Sequence, residues 1–288
     1  MWQMVGKLEK LRSKDTLMIT NPMFNLESKV VVITGGAGLL GAKHAEAILE
    51  SGGKVALMDI NSAALDAVAK QLNAPDRICT VVADISDEAQ VNQAFETICK
   101  TLGRPNGLIN NATIDPKAGK NSRLTRLEDF DIAQWNFEIA VGLTGALICS
   151  KVFGADMAKN GGGTIINISS DLGIIAPDQR LYRVPGLPEN EQPVKPVTYS
   201  VIKHGIIGLT KYIATYWSDQ NVRCNALAPG GVFDGQGDAF VTELVQRIPL
   251  KRMASVDDYK GAIVFLCSDS SSYMTGATLV VDGGRTTL

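Results

Sequence analysis

Tyr199 and Lys203 stand four residues apart in Tyr199-Ser-Val-Ile-Lys203, and on a helix that spacing puts both on one face. A free phenol has a pKa near ~10, too high for a base at neutral pH. An ammonium held beside it favours the phenolate and lowers that value. The pair is therefore a candidate to exchange a proton with an alcohol or a carbonyl. The same spacing also arises by chance, as a packed tyrosine and a solvated lysine, so its meaning depends on what accompanies it.

A second constellation lies upstream. Lys29 to Ile33 is a β-branched run that reads as a buried parallel strand. It runs into Thr34-Gly35-Gly36-Ala37-Gly38-Leu39-Leu40-Gly41 and then into alanine-rich, helix-favouring Ala42 to Ser51. Gly52-Gly53 stops that helix, and Lys54 to Asp59 reads as the next strand, ending in an acid. Gly36-x-Gly38-x-x-Gly41 has G-x-G-x-x-G spacing, and Asp59 follows 18 positions later, where the ribose-binding acid of a dinucleotide unit is expected. Such a turn must be tight, let the backbone approach a pyrophosphate, and aim a helix N-terminus at the phosphates. The bland alternative is an ordinary glycine-rich turn. The Asp59 carboxylate would accept from ribose hydroxyls and repel a 2′-phosphate. Neither Ile60 nor Asn61 is basic, which favours NAD over NADP.

With both ends in view, the chain resembles the short-chain dehydrogenase/reductase family, in its compact single-domain branch, from about Phe24 to the C-terminus. The resemblance rests on landmarks in order: the Thr34–Gly41 turn, Asp84 after Val81-Val82-Ala83, Asn110-Asn111-Ala112, Asn167-Ile168-Ser169-Ser170, the Tyr199/Lys203 pair, Asn225 to Gly230, and Asp282-Gly283-Gly284. It implies a doubly wound, mostly parallel α/β sheet with helices on both faces, a Rossmann fold in one domain. It implies Ser170 as the hydroxyl that bonds the substrate oxygen, Tyr199 as acid/base, and Lys203 as the residue that binds the nicotinamide ribose and lowers the phenol's pKa. Expected dinucleotide contacts are Gly35, Gly36, Gly38, Leu39, Leu40, Gly41, Asp59, Ile60, Asp84, Ile85, Asn111, Ala112, Tyr199, Lys203, Pro229, Gly230 and Val232. Asn110 resembles the asparagine that braces the central sheet. Members usually dimerise through their long helices and often form tetramers, so a homodimer or homotetramer is expected.

Four departures matter. The turn reads T-G-x-x-G-x-x-G, with Leu39 where the compact branch has glycine, as in the branch acting on nucleotide-sugars. The family's active-site asparagine on the central helix falls at Gly142, whose missing side chain would leave room for water or substrate. Ser170 and Tyr199 are 29 positions apart, wider than usual, because of a proline-rich, charged insertion at 177–196. That insertion reads as a surface loop over the substrate cleft, in which Arg180, Arg183 and Lys195 are candidate carboxylate or phosphate ligands. Its acids Asp178, Glu189 and Glu191 could equally balance those charges. Finally, Asp234 stands near the position of a family threonine, in the glycine-rich stretch 231–237 where a mobile lid is expected.

Composition sets the remaining bounds. The chain has 288 residues and a formal net charge of −2, which gives no electrostatic footprint for nucleic acid. No apolar run is expected to span a bilayer, and Met1 to Met23 lacks a secretory pattern. Five scattered cysteines show neither metal spacing nor a disulfide framework, which fits a cytoplasmic protein. Residues 1–22 are expected to be a disordered extension preceding one domain over 23–288. The expected activity is hydride transfer between NAD and a secondary alcohol or ketone, on a sugar, sugar acid or other small polar substrate, with no metal. The alternatives are a β-ketoacyl reductase and a nucleotide-binding sensor without turnover.

Overall fold

Successive residues of a strand face opposite sides of a sheet, and the first strand is apolar at its first four positions. Val30 and Val32 enter one core cluster, and Val31 and Ile33 enter another. Only a strand covered on both faces can do this. The computed structural model describes residues 22–115 and 125–288, and in it this strand is central. The strands are β1 (Val30–Thr34), β2 (Lys54–Asp59), β3 (Ile78–Val82), β4 (Gly107–Asn110), β5 (Gly163–Ile168), β6 (Val222–Pro229) and β7 (Thr278–Val281). They form one seven-stranded sheet in the order β3-β2-β1-β4-β5-β6-β7, parallel at every pairing.

Helices α1 (Leu39–Glu50), α2 (Ser62–Leu72) and α8 (Lys260–Cys267) cover one face. The other carries α3 (Glu88–Leu102), α5 (Gly145–Lys159) and α6 (Val197–Tyr216). A shorter α7 spans Asp238–Gln246. Helix α4 (Ile132–Ile139) runs into α5 through a π-helical turn, Ala140–Thr144. β1 and β4 are neighbours, with β2 on one side and β5 on the other. The connections therefore diverge between β1 and β4, and a crevice opens at the strands' C-terminal ends.

One expectation needs correction. Ile132–Lys159 is a 28-residue helical run apolar enough, by length and composition, to cross a membrane. Here its apolar character serves the sheet: Cys149, Phe153 and Met157 are buried in the core. At the N-terminal boundary, Pro22 opens a 3₁₀ turn, Pro22–Phe24, which Ser270 holds through its bond to the Met23 carbonyl. The rest of the expected extension lies outside the described residues.

His44 on α1 is 1% exposed, and neither ring nitrogen has a hydrogen-bond partner. Burial pulls its pKa down to about 4, below the ~6.5 of an unfolded chain. The native state therefore loses stability as pH falls from about 6.5 towards 4, where only the unfolded chain takes up the proton freely. His44→Leu is expected to raise the melting temperature at pH 7.5, by relief of an unsatisfied polar group worth about 1–3 kcal/mol. Its advantage over wild type should widen at pH 5; equal melting curves at both pH values would contradict this.

Candidate active site

The Thr34–Gly41 turn is built by close approaches that only glycine permits. A Cβ on Gly41 would lie 2.2 Å from the Gly35 carbonyl oxygen, and one on Gly36 would lie 3.0 Å from the Leu57 Cα. Gly35 itself adopts φ +61°, a left-handed conformation that costs glycine little. Helix α1 then starts at Leu39 with Gly38 as N-cap and no side-chain cap, so the helix presents its first N–H groups at the crevice. Asn111 fixes the turn from β4, its amide donating to the carbonyls of Thr34 and Gly35 at 3.0 and 3.1 Å. The Asp59 carboxylate accepts from Ala37 N–H at 3.2 Å and from Asn61 N–H at 3.1 Å.

This turn forms one end of a cavity of about 610 Å³. Gly35, Gly38, Leu39, Leu40, Asp59, Ile60, Asp84, Ile85, Asn111 and Ala112 line that end; Pro229, Gly230 and Val232 line it further along. Gly36 and Gly41 do not line it, because their role is internal packing of the turn. Asn110 is buried and donates to Asn167 at 2.7 Å and to Ser150 at 2.9 Å, tying β4 to β5 and α5. The Asp84 carboxylate accepts from the backbone and hydroxyl of Ser86. The conformation is such that a dinucleotide fits: a bare helix N-terminus, a turn without side chains, and an acid at the end of β2.

Ser170, Tyr199 and Lys203 converge on the same cavity. Ser170 lies two residues after β5, as N-cap of a 3₁₀ turn, while Tyr199 and Lys203 share a face of α6. The first turn of α6 is anchored by Glu138, a buried carboxylate on α4 that accepts from Thr198 Oγ1 and from Gln134 Nε2. The Lys203 ammonium donates to the Ile168 carbonyl at 2.9 Å and lies 5.6 Å from the Tyr199 ring centroid.

The electrostatics of the isolated chain reverse the sequence expectation. Burial pushes the Tyr199 phenol well above its usual value; the Asp115 and Asp171 charges add to the rise, and only a Ser170 hydrogen bond opposes it. Burial also pulls Lys203 down to about 8. Two buried groups have lost water, and desolvation outweighs their attraction.

The insertion is exposed over 183–190 and anchored on either side of that stretch. Leu181 is buried with Leu244, Ile248 and Met253, Tyr182 packs on Phe240 of α7 with ring centroids 5.6 Å apart, and the Gln192 amide is bonded to Val184 and Leu187 backbone groups. Arg180 and Arg183 do not line the cavity. Arg180 forks onto Asp178 at 2.8 and 2.9 Å, and Arg183 pairs with Glu189. Lys195 does reach the cavity: its ammonium lies 4.0 Å from the Tyr199 ring centroid and 2.6 Å from Asp115. Among the cavity residues that were not anticipated are the titratable Asp115, Asp171, Tyr182 and Arg285. Of these, only Asp171 carried a sequence signal, as an acid directly after Ser170.

A family profile described as short chain dehydrogenase matches residues 29–182, and one described as Enoyl-(Acyl carrier protein) reductase matches 190–286. D-threitol dehydrogenase of Mycolicibacterium smegmatis is 32% identical over 274 residues, covering 91% of this chain and 95% of its own. The chain belongs to the short-chain dehydrogenase/reductase family. It is an oxidoreductase acting on CH–OH groups. A gluconate 5-dehydrogenase from Burkholderia cenocepacia, solved with NADP and tartrate, superposes with a TM-score of 0.80 at 27% identity, covering 93% of this chain and 98% of its own. A short chain dehydrogenase from Leptospira borgpetersenii with bound NAD⁺ also gives 0.80, at 29% identity, covering 95% and 99%.

Gly142, at the position of the family asparagine, corrects a further expectation. It lies in the π-helical turn and is buried, and a Cβ there would meet Ile202 Cγ2 at 2.9 Å and Cδ1 at 3.1 Å. The space left by the missing side chain is filled by Ile202 of α6, not by water or substrate. In this dehydrogenase, Gly142→Asn is expected to destabilise the fold by about 1–3 kcal/mol through overpacking. Adding Ile202→Ala should recover part of that loss in denaturant titration; equal stability of Gly142→Asn and wild type would show that the site holds spare room.

Proposed function

We propose that this chain is an NAD-dependent dehydrogenase that interconverts a secondary alcohol and a ketone on a polyol, sugar or sugar acid. The observation that carries the reading is the convergence of Ser170, Tyr199 and Lys203 at one end of a cavity whose other end holds the glycine turn and Asp59. Gly35, Gly38, Leu39 and Leu40 would hold the pyrophosphate, Asp59 and Ile60 the adenosine ribose, and Asp84 and Ile85 the adenine. Asn111 and Ala112 would border the dinucleotide, Lys203 and Tyr199 would meet the nicotinamide ribose, and Pro229, Gly230 and Val232 would flank the carboxamide. When bound, the nicotinamide accepts or supplies the hydride, and in its oxidised form brings positive charge.

Ser170 holds the substrate oxygen and Tyr199 exchanges its proton. A neutral, buried phenol suits proton donation to a ketone oxygen; for oxidation the phenolate must be stabilised by positive charge close by, which Lys203 shares. Similarity to a D-threitol dehydrogenase and to a gluconate 5-dehydrogenase supports a polyhydroxylated substrate. Lys195, at the Tyr199 ring, is the insertion residue placed to meet it. A β-ketoacyl substrate and a sensor without turnover are less favoured, because the three reacting groups are intact and share a walled cavity.

Among the described residues, the basic side chains lining the cavity are Lys195, Lys203 and Arg285. All stand at the tyrosine end, so a 2′-phosphate at the ribose end would face Asp59, which supports NAD over NADP. The exposed Leu147, Tyr212 and Tyr216 on the long helices support a homodimer or homotetramer. Five free cysteines, four of them buried, fit a reducing cytoplasm.

Purified protein with NAD and a panel of polyols and sugar acids, including D-threitol and gluconate, should show reduced-cofactor absorbance. Tyr199→Phe should lose roughly 10²- to 10⁴-fold in kcat while still binding NAD; equal turnover by this variant and wild type would remove the mechanism. Asp59→Ala should raise the KM for NAD by roughly 10- to 100-fold, the worth of hydrogen bonds to a charged acceptor. A wild-type protein that turns over faster with NADP would contradict the cofactor assignment.

A further inference from the structure

Asp171 directly follows Ser170 and opens the 3₁₀ turn Asp171–Gly173 at the end of β5. It is 2% exposed, and its partner Arg285, from the last turn of the chain, is 8% exposed. Arg285 Nη1 donates to Asp171 Oδ2 at 2.6 Å. Asp171 Oδ1 accepts from the Ser170 hydroxyl and from Leu172 N–H, each at 2.8 Å. Leu172 N–H is shared with Ser170 Oγ at 3.1 Å. An ionised carboxylate accepts hydrogen bonds and cannot donate them. The single hydroxyl proton of Ser170 is thus directed at Asp171, and one lone pair is occupied by Leu172. What Ser170 has left for the cavity is an acceptor.

We propose that Asp171 and Arg285 are positioning residues that hold Ser170 as a hydrogen-bond acceptor, so that the site receives the hydroxyl form of its substrate ready-made. The ketone form has no proton to offer Ser170. To receive a bond from it, the hydroxyl must leave Asp171 and turn into the cavity. This rests on Ser170 meeting the substrate oxygen, as in the function proposed above. The other charged or titratable groups facing the serine and tyrosine are Lys203, Lys195 with Asp115, and the phenol of Tyr182. None of them is hydrogen-bonded to the Ser170 hydroxyl; Tyr199 is, and because the 2.8 Å contact directs the serine proton to Asp171, the neutral phenol is the donor in that pair. Orientation of the serine proton is assigned to Asp171, with Arg285 neutralising the acid.

The device cannot alter the equilibrium of the reaction, which fixes the ratio of catalytic efficiencies in the two directions. Its signature lies in how each efficiency divides between KM and kcat. Removing one member of a buried ion pair leaves the other uncompensated and endangers the fold, whereas replacing both with apolar residues of similar size is often neutral. The test is therefore the double variant Asp171→Leu/Arg285→Met, assayed with D-threitol and NAD in one direction and D-erythrulose and NADH in the other. The expected result is an unchanged NAD dissociation constant, a KM for D-threitol raised roughly tenfold, the worth of one neutral hydrogen bond, and a KM for D-erythrulose that stays the same or falls. Arg285→Lys, which keeps the cation, should keep both KM values near wild type. If that double variant does not fold, Asp171→Asn/Arg285→Gln, which leaves no charge unpaired, gives the same readout with a smaller shift. Equal shifts for alcohol and ketone, or none, overturn the proposal and leave the pair as a brace for the C-terminal turn. Ser170→Ala separates the two levels: if it retains full turnover, the reading of Ser170 itself fails; if it loses turnover while the double variant shows no alcohol–ketone difference, only the positioning role fails.

Discussion

The removal of the Tyr199 phenol from water governs the chemistry of this site. A solvated tyrosine near its ordinary pKa would be held by nothing and tuned by little. Here burial pushes it upward, two carboxylates push in the same direction, and its lysine partner is itself depressed by burial. A group in that state responds strongly to any charge brought beside it, because the same low dielectric that penalises its ionisation amplifies each neighbour.

That environment requires the backbone to do work usually given to side chains. Gly41 lies against the Gly35 carbonyl and Gly36 against β2, so that helix α1 can begin at the edge of the crevice with nothing but N–H groups facing it. On the far side, Gly142 lies against Ile202 and Gly205 against Leu143, which brings α4 and the π-helical turn close to α6. The close approach of these helices places Glu138 against the first turn of α6 and so fixes the backbone one residue before Tyr199. Small residues set the distances, and polar groups then set the angles.

The start of the sheet was legible because β1 and β2 are short apolar runs between glycine or polar breaks; β2 occurs where the pattern puts it. The expected start of the first long helix at Ala42 was late, because Leu39 to Gly41 read as turn while in fact forming the first turn of α1. The cofactor end was legible too, since its residues are close in sequence and their types are dictated by backbone geometry. The tyrosine end was only half legible. Ser170, Tyr199 and Lys203 could be found by their order, but Asp171 acts through Arg285, 114 positions away. A pair that distant leaves no periodicity and no spacing to read. The sign of the Tyr199 shift was missed for a related reason: burial is a property of the assembled fold, and an i, i+4 relation shows only the neighbour.

The insertion shows why charge alone is a poor guide to a binding group. Arg180, Arg183 and Lys195 look equivalent in sequence, and the arginines look the better anion ligands. Arg180 and Arg183 lie in and just after a 3₁₀ turn whose apolar member, Leu181, is driven into the small core under α7. That inward turn leaves both guanidinium groups outside, where Asp178 and Glu189 meet them. Lys195 comes one residue before the proline that caps α6, and its backbone is held on both sides by the Gln179 amide. Its side chain crosses the face of Tyr199 and pairs with Asp115. The residue that reaches the reacting centre is thus selected by where the chain must re-enter the helix, and the burial of Leu181 excludes the other two.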